Sequence, residues 1–163
     1  MPATPDELFA ALRTLDITTT THHHPPVFTV EEARAHCAHL PGGHCKSLFL
    51  KDKKDRLYLL VALDERAIEL NAIAKLIGAA RLSFGKPELL MEVLGVTPGS
   101  VTPFALVNDR EVRVTVVLDA GMMRLDLLNY HPLTNTATTA IRPTDLRRFI
   151  VSTAHQPTEL ELP

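Results

Sequence analysis

The chain has 163 residues and a formal net charge of −2 at pH 7. A chain of this length fits one domain, and such a domain buries roughly 70% of its unfolded surface. Hydrophobic residues make up 45% and charged residues 22%, a balance that excludes an intrinsically disordered protein. The charge excludes a protein that coats nucleic acid through many phosphate contacts, but it leaves room for a basic patch that holds one RNA end.

Cysteine content and the first residues indicate the compartment. Cys37 and Cys45 are too few for a disulfide framework. The N-terminus lacks the basic and apolar regions of a secretory signal, and no apolar run approaches the ~20 residues of a membrane span. We therefore expect a cytoplasmic protein with reduced thiols and a single domain over residues 1–163.

The first part of the chain predicts two helices and a strand. Thr4 to Glu7 forms a capping box with proline at the first helical position, and apolar residues follow at helical spacing. The β-branched run from Ile17 to Thr21 predicts a strand that ends before Pro25-Pro26. Thr29 to Glu32 forms a second capping box and opens a short helix through about Cys37.

The middle of the chain predicts a hairpin and two helices. Lys46 to Lys51 and Arg56 to Leu63 favour strands, and a polar turn joins them. Asp64 is a candidate N-cap for a third helix, which Gly78 ends at the C′ position. A fourth short helix is expected over residues 88–94.

The last part predicts three strands over residues 112–118, 124–130 and 136–141, and a final helix that begins at Pro143. The last six residues are expected to be frayed. Hairpin-linked strands between irregularly spaced helices predict an α/β (α+β) domain, in which helices surround a mixed, mainly antiparallel sheet.

Four segments that are far apart in sequence carry the functional information. They are residues 24–33 (HPPVFTVEEA), 45–50 (CKSLFL), 99–104 (GSVTPF) and 131–139 (HPLTNTATT). In this order and spacing they resemble the YbaK-type family of aminoacyl-tRNA editing domains, which includes the editing insertion of bacterial prolyl-tRNA synthetase. The likeness is greatest to the free-standing alanyl-tRNA(Pro) deacylases, the ProXp-ala branch. The resemblance implies the family's fold and a mischarged tRNA end as substrate.

Lys46 lies just inside a predicted strand among apolar neighbours. From composition alone, its stem would pack while the ammonium group reaches water. The resemblance implies instead that Lys46 is a catalytic-site residue near the terminal phosphate or the amino-acid moiety, where a compact charge is suited. Many relatives have asparagine at the next position, whereas this chain has Ser47, which we assign to the substrate pocket.

The segment from Gly99 to Pro103 is turn-forming on composition alone. Glycine lets the backbone approach a ligand closely, and proline limits the conformations of a loop. The resemblance implies that backbone amides around Gly99, Ser100 and Val101 stabilise the ester oxyanion, with Pro103 beside the substrate pocket.

His131 ends a predicted strand, where a histidine is often an ordinary surface residue. The resemblance places His131 in the catalytic site, holding the terminal nucleotide, and a general-base role stays open because histidine titrates near neutral pH. In the family, the free hydroxyl of the terminal ribose is thought to activate the attacking water. Asn135 and Thr136 then support the pocket from the adjoining turn.

Val30 and Ala33 are three positions apart and share one side of the second predicted helix, which the resemblance makes a pocket wall. A pocket sized for alanine excludes proline by steric clash. Ala-tRNA(Pro) is therefore the favoured substrate, and Cys-tRNA or Ser/Thr-tRNA are alternatives with the same chemistry. A noncatalytic module that binds the tRNA 3′ end is an alternative from another class.

The candidate RNA contacts are basic residues. Arg81 lies between apolar neighbours and can fork to phosphates or base edges. Lys51, Lys53 and Lys54 lie at a polar turn, where lysines are usually only solvated. We expect a monomer that binds mischarged tRNA, has no membrane partner, and makes at most transient contact with prolyl-tRNA synthetase.

A zinc site is a competing interpretation of residues 36–45, whose spacing matches no common zinc-finger pattern. The run His22 to His24 continues into the first family segment, and we do not interpret it as a metal site. We therefore expect no metal and no cofactor. The candidate zinc ligands in this segment are His36, Cys37, His39, His44 and Cys45.

Overall fold

The computed structural model describes residues 1–163, apart from the side chain of Val30. The helices are α1 (Pro5–Thr14), α2 (Val30–Cys37), α3 (Leu70–Ile77), α4 (Pro87–Leu94) and α5 (Pro143–Ser152). The strands are β1 (Thr20–His23), β2 (Gly43–Asp52), β3 (Leu57–Leu63), β4 (Leu82–Phe84), β5 (Val114–Asp119), β6 (Leu128–Tyr130), β7 (Ala137–Ile141) and β8 (Thr158–Leu160). None of the helices in this described chain has the length and apolar character that crossing a membrane requires.

The strands form one sheet in the order β1-β7-β6-β2-β3-β5-β8, and β4 pairs with the end of β2. The β1–β7, β7–β6, β2–β3 and β2–β4 pairs are antiparallel. The β6–β2, β3–β5 and β5–β8 pairs are parallel. The predicted fold, a mixed and mainly antiparallel sheet surrounded by helices, is confirmed.

Most helix ends lie where local signals predicted them. The Thr4 hydroxyl accepts the Glu7 N–H at 3.1 Å, and the Glu7 carboxylate accepts the Thr4 N–H at 3.0 Å. At α2 only half of the predicted capping box forms: the Thr29 hydroxyl accepts the Glu32 N–H at 3.1 Å, but the Glu32 carboxylate accepts the Phe28 N–H at 3.2 Å. Gly78 and Gly95 end α3 and α4 in the left-handed conformation, with φ of 69° and 65°, which glycine adopts without a Cβ clash.

Three predicted boundaries are wrong. Strand β1 begins at Thr20 because Ile17 belongs to the turn that ends α1, where its N–H donates to the Leu12 carbonyl at 3.0 Å. Glu69, not Asp64, caps α3. The strand predicted over residues 124–130 is shortened to β6 because a 3-10 helix covers Met122–Arg124.

The C-terminal end is ordered, so the expectation of a frayed tail is wrong. Strand β8 pairs in parallel with β5, and Leu162 after it is buried. Glu159 also accepts hydrogen bonds from the Arg147 guanidinium of α5 at 2.5 and 2.8 Å. This segment is held by its pairing with β5 and by the ion pair between Glu159 and Arg147. Neither contact can be predicted from the local sequence.

Strand β3 is buried on both faces and fixes the centre of the sheet. One face packs in a core with α1, α4 and α5, and the other packs in a smaller core with α3. The two-residue period of a strand produces this alternation. The antiparallel partner β2 is half-buried over its first six residues, which opens this end of β2 to a cavity. The alternating β3 residues are Leu57, Leu59 and Val61 on one face, and Tyr58, Leu60 and Ala62 on the other.

Candidate active site

A cavity of about 240 Å³ lies where α2, the first half of β2 and the ends of β6 and β7 meet the loop at residues 98–101. All four segments that the sequence analysis singled out contribute to its wall. The predicted site residues that line the cavity are Ala33, Lys46, Ser47, Gly99, Val101 and His131. Val30 lies on the same helix, but its side chain is outside the described part of the chain.

Lys46 is half-buried in the cavity wall, opposite Ala62 of β3. Its Nζ donates a hydrogen bond to the backbone carbonyl of Arg66. Burial lowers the pKa of the Lys46 ammonium, the Asp64 carboxylate raises it, and the Arg34 guanidinium lowers it. An ammonium group has three N–H donors, so Lys46 has donors left for an anionic or carbonyl oxygen in the cavity.

Arg34 and Asp64 also line the cavity, although the sequence analysis did not assign them to the site. The Arg34 Nε lies 3.5 Å from Oδ2 of Asp64, and the two side chains are 53% and 15% exposed. With Lys46 they give the wall two cations and one carboxylate. The sequence did contain one signal for Asp64. This residue directly follows the apolar strand β3, and an acidic side chain is rarely buried without a charged partner.

The loop at residues 98–101 forms one wall of the cavity. Gly99 and Val101 line the cavity, while Ser100 is buried and its N–H donates to the Thr97 carbonyl at 2.9 Å. The Ser100 amide is therefore committed within the loop. A Cβ at position 99 would lie 3.2 Å from Cδ1 of Phe28 and 3.3 Å from Nδ2 of Asn135, so the close approach of these side chains favours glycine.

Pro103 is not among the described residues that line the cavity. It is buried at the start of the 3-10 helix Pro103–Asn108, and Thr102 caps that helix by accepting the Phe104 N–H at 3.3 Å. The structure therefore does not support the assignment of Pro103 to the substrate pocket. Its fixed φ stiffens the chain directly after the Gly99 loop.

Asn135 and Thr136 lie behind the rim of the cavity. The Asn135 side-chain amide donates to the Val27 carbonyl at 3.1 Å, and the Val27 N–H donates to the Asn135 carbonyl at 3.2 Å. Thr136 is exposed, and its carbonyl accepts the His24 N–H at 2.9 Å. These contacts join the first and last family segments, so both residues support the site without lining it.

His131 is half-buried, and its Nδ1 lies 3.1 Å from the Ala137 carbonyl. A carbonyl only accepts, so Nδ1 carries the proton and Nε2 is an acceptor in the neutral ring. Burial lowers the pKa of His131, the Ala137 hydrogen bond raises it, and His24 lowers it. His131 is therefore a neutral imidazole near pH 7, with one acceptor nitrogen available.

His24 is a second histidine of the first family segment, and its ring centre lies 6.4 Å from that of His131. Its Nδ1–H donates to the Pro25 carbonyl at 2.8 Å, and its Nε2 lies 2.9 Å from Oγ1 of Thr138. The Thr138 hydroxyl also lies 3.5 Å from the Cys37 sulfur. This chain of contacts ties β1 and β7 to α2 at the cavity wall.

Cys45 lies in the cavity wall beside Tyr130. Burial raises the pKa of its thiol to about 12, although hydrogen bonds from Tyr130 and from the Asn129 backbone work in the opposite direction. A protonated thiol is a poor nucleophile. Among the described residues, no group of three or more His, Cys, Asp and Glu side chains is placed to hold a metal ion.

A second, wider groove of about 800 Å³ lies at the other end of β2. Lys51, Lys53 and Arg81 line it together with Phe84, whose side chain is 63% exposed. Lys51 is paired with Asp55 at 3.1 Å. The predicted RNA contacts thus lie close to one another but apart from the cavity. Lys54 is exposed on the same turn.

The sequence matches the family of aminoacyl-tRNA editing domains over residues 24–149. The chain belongs to this family. Over 153 residues it is 44% identical to the zebrafish (Danio rerio) protein named prolyl-tRNA synthetase associated domain-containing protein 1, covering 93% of this chain and 83% of the relative. Over 156 residues it is 33% identical to the prolyl-tRNA editing protein ProX of Acetoanaerobium sticklandii, covering 95% of each.

The fold of this editing domain also matches solved structures. A crystal structure described as that of a candidate trans-editing enzyme for prolyl tRNA synthetase has a TM-score of 0.72 and 21% sequence identity, and the match covers 100% of both chains. Identity this low supports the fold alone. The family resemblance that the four segments predicted is confirmed by the sequence match.

Proposed function

We propose that this editing domain hydrolyses the ester bond of mischarged tRNA and that Ala-tRNA(Pro) is its favoured substrate. The observation that carries the proposal is the convergence of the four family segments on one cavity. That cavity combines a cation, a neutral imidazole and a tight backbone loop, which together suit an acyl-transfer site. The named relatives that act in prolyl-tRNA editing support the same reaction class.

In the proposed reaction, water attacks the carbonyl carbon of the ester, and the developing oxyanion accepts hydrogen bonds from backbone amides. We assign this task to the amides of Gly99 and Val101, because the Ser100 amide already donates to Thr97. The bond between the carbonyl carbon and the ribose oxygen then breaks, the ribose oxygen takes a proton, and the free amino acid leaves. One oxyanion donor of this kind contributes about 2.7–4 kcal/mol.

His131 and Lys46 are assigned to hold the substrate. The Nδ1–H of His131 is committed to Ala137, so its Nε2 accepts a hydrogen bond from a hydroxyl of the terminal ribose. The neighbouring ribose oxygen carries the ester, so this is the one free hydroxyl, and its oxygen accepts a hydrogen bond from the attacking water and activates it. Lys46 donates to the terminal phosphate or to the amino-acid moiety, through N–H groups not used by Arg66. Holding water and ester in contact lowers the entropic part of the barrier.

Specificity is assigned to short side chains at the base of the cavity. Ala33 and Cys37 of α2 line the cavity together with buried Val27. A wall of this size admits a methyl side chain and excludes a proline ring, because a packed interior does not expand at low cost. An apolar pocket rejects an added hydroxyl by only about 100-fold, so we expect Ser-tRNA to be the strongest competitor.

The acceptor end of tRNA is assigned to the basic groove. Strand β2 connects the groove to the cavity, and the five positions from Lys46 to Lys51 span about 17 Å of extended chain. Several unpaired nucleotides cover such a distance. Lys53, Lys54 and Arg81 then contact phosphates, which predicts modest affinity that weakens as salt rises.

Deacylation of a tRNA panel tests the function. The panel carries Ala, Cys, Ser, Thr and Pro, with Ala on both tRNA(Pro) and tRNA(Ala), and Lys46→Ala serves as the site variant. Rapid loss of Ala from tRNA(Pro), with Pro-tRNA(Pro) and Ala-tRNA(Ala) spared, supports the proposal. A preference for another ester keeps the reaction and changes the substrate. A folded protein that deacylates nothing overturns the enzymatic assignment and favours a noncatalytic module, whose tRNA affinity would then be measured.

A further inference from the structure

Arg66 links the cavity to the interior of the sheet through two different groups. Its backbone carbonyl accepts the hydrogen bond from the Lys46 Nζ. Its side-chain Nε donates to Oδ2 of Asp119 at 2.6 Å. Arg66 lies in the loop between β3 and α3, so the position of this loop decides where the carbonyl meets Lys46.

Asp119 is a rigid anchor for that loop. Its side chain is fully buried at the end of β5, a strand flanked by β3 and β8. Oδ2 also accepts the Leu63 N–H at 3.3 Å, and Oδ1 accepts the Gly121 N–H at 2.9 Å. A buried carboxylate depends on such partners, and removing its cation leaves an uncompensated charge.

Gly121 provides an independent sign that the guanidinium position matters. A Cβ at this position would lie 2.6 Å from Nη2 of Arg66 and 3.3 Å from Oδ1 of Asp119. The backbone there is right-handed, with φ of −62°, so conformation alone does not call for glycine. The absence of a side chain leaves the space that the Arg66 guanidinium occupies.

We propose that Asp119 and Arg66 are positioning residues that hold the Lys46 ammonium in the cavity, an inference that rests on the proposed role of Lys46. Neither residue lines the cavity among the described residues. Lys46 has a flexible four-carbon stem and lies near Asp64 and Arg34, which attract and repel it. The hydrogen bond to the Arg66 carbonyl holds the Lys46 ammonium at one position. The contact between Asp119 and the Arg66 side chain holds that carbonyl in place.

The test compares variants of two similar ion pairs. Arg66→Ala removes the proposed pair, Arg66→Lys restores a cation, and Gly121→Ala displaces the guanidinium while both partners stay present. Arg56→Ala is the matched control, because Arg56 donates through Nε to the buried Asp52 at 2.8 Å at the opposite end of the β2–β3 hairpin. Each protein is assayed for kcat and KM on Ala-tRNA(Pro), for Tm, and for acetylation of Lys46 by acetic anhydride, followed by mass spectrometry across pH.

We expect Arg66→Ala to lower kcat/KM about 100-fold, the cost of a misplaced group, through a lower kcat and a higher KM, because Lys46 holds the substrate. The rate of Lys46 acetylation and its dependence on pH should both change, because the ammonium loses its carbonyl partner and gains exposure. Gly121→Ala should act in the same direction, Arg66→Lys should recover part of kcat, and Arg56→Ala should lower Tm without changing kcat or Lys46 acetylation.

Two results overturn the inference. One is an unchanged Lys46 acetylation profile in both Arg66→Ala and Gly121→Ala. The other is a loss of kcat in Arg56→Ala that matches the loss in Arg66→Ala at equal loss of Tm. If the wild-type protein deacylates nothing while Lys46 acetylation still responds to Arg66→Ala, the positioning inference stands and the proposed function fails.

Discussion

The Nε2 of His155 lies 2.8 Å from Oδ2 of Asp109, and both side chains are buried. The other ring nitrogen, Nδ1, lies 2.8 Å from Oγ1 of Thr153, whose hydroxyl donates to the Ile150 carbonyl at 2.6 Å. Because that hydroxyl has a single proton, Nδ1 is the donor to Thr153. The two ring nitrogens of His155 therefore join the end of α5 to the segment before β5 through buried hydrogen bonds.

Replacement of His155 by alanine should destabilise the fold by about 1–3 kcal/mol, because the buried Asp109 carboxylate loses one of its hydrogen-bond partners. Urea unfolding followed by circular dichroism measures this loss. Arg113→Ala is the control, since it removes an exposed pair with Glu92 at 2.9 Å that is worth up to about 1 kcal/mol. Equal losses in the two variants would contradict a stabilising buried hydrogen bond between His155 and Asp109.

Replacement of Gly99 by alanine should impair catalysis far more than stability. The added methyl group would meet Phe28 and Asn135 at 3.2 and 3.3 Å and push the loop away from the cavity. Loss of one oxyanion donor costs about 10²–10³ in kcat, so we expect a decrease in this range on Ala-tRNA(Pro).

Gly78→Ala is the matched control for the Gly99 variant. Its Cβ would meet nothing within 4 Å, and its φ of 69° makes alanine strained. It should therefore lower Tm while leaving kcat unchanged. A Gly99→Ala protein with wild-type kcat would show that this loop is not part of the catalytic machinery.

Elements with local signals could be predicted from sequence, and elements that depend on distant partners could not. The Thr4 and Thr29 caps and the Gly78 and Gly95 helix ends follow from neighbouring residues, and all four are confirmed. Strand β8 forms because it pairs with the edge of β5. This pairing cannot be predicted from the local sequence of β8.

The same distinction between local signals and distant contacts applies to the residues of the candidate site. Family segments located Lys46, Gly99 and His131 on one cavity, because the four segments are recognisable together by their order and spacing. Arg34 and Asp64 were missed as site residues because their contact joins α2 to the end of β3. An ion pair between residues thirty positions apart cannot be predicted from the sequence around either residue.

Replacement of Cys45 by alanine should leave deacylation essentially unchanged. Burial raises the pKa of this thiol to about 12, so the thiolate is scarce at neutral pH and cannot serve as a nucleophile there. The native protein should also react slowly with iodoacetamide at Cys45, whereas the urea-unfolded chain should react quickly. A Cys45→Ala protein that binds tRNA normally but has lost its rate would overturn this expectation.

The lowered pKa of His131 predicts how activity depends on pH. The value lies below the ordinary 6.5 of an exposed histidine, chiefly because of burial. The neutral ring that accepts a ribose hydroxyl should therefore persist at pH 6.5, and kcat/KM should fall only in more acidic solution. His131→Gln should lower kcat/KM and remove this acid limb.

The same pKa gives the sign of a stability effect. As pH falls below 6.5, the unfolded chain binds a proton at His131 before the native protein does, so stability decreases from 6.5 down to the folded pKa. Above 6.5 the residue makes no pH-dependent contribution. Deacylation profiles with the spontaneous rate subtracted, together with Tm over the same range, provide the check. An activity loss that begins above pH 6.5 would contradict a neutral His131 in the native state.

Replacement of Ala33 by valine should change substrate preference rather than abolish activity. Ala33 lies on α2 in the cavity wall, so two added methyl groups reduce the space for the amino-acid side chain. A difference of one methylene group in such a pocket is worth about 1–3 kcal/mol, and we expect Cys-tRNA and Ser-tRNA to lose more rate than Ala-tRNA(Pro). Ala35→Val is the control, because Ala35 is exposed on the same helix and carries the same cost in helix propensity, at most about 0.7 kcal/mol. An unchanged ranking of the esters in Ala33→Val would remove this face of α2 from the specificity pocket, because a wall that touches the side chain must discriminate when its volume changes.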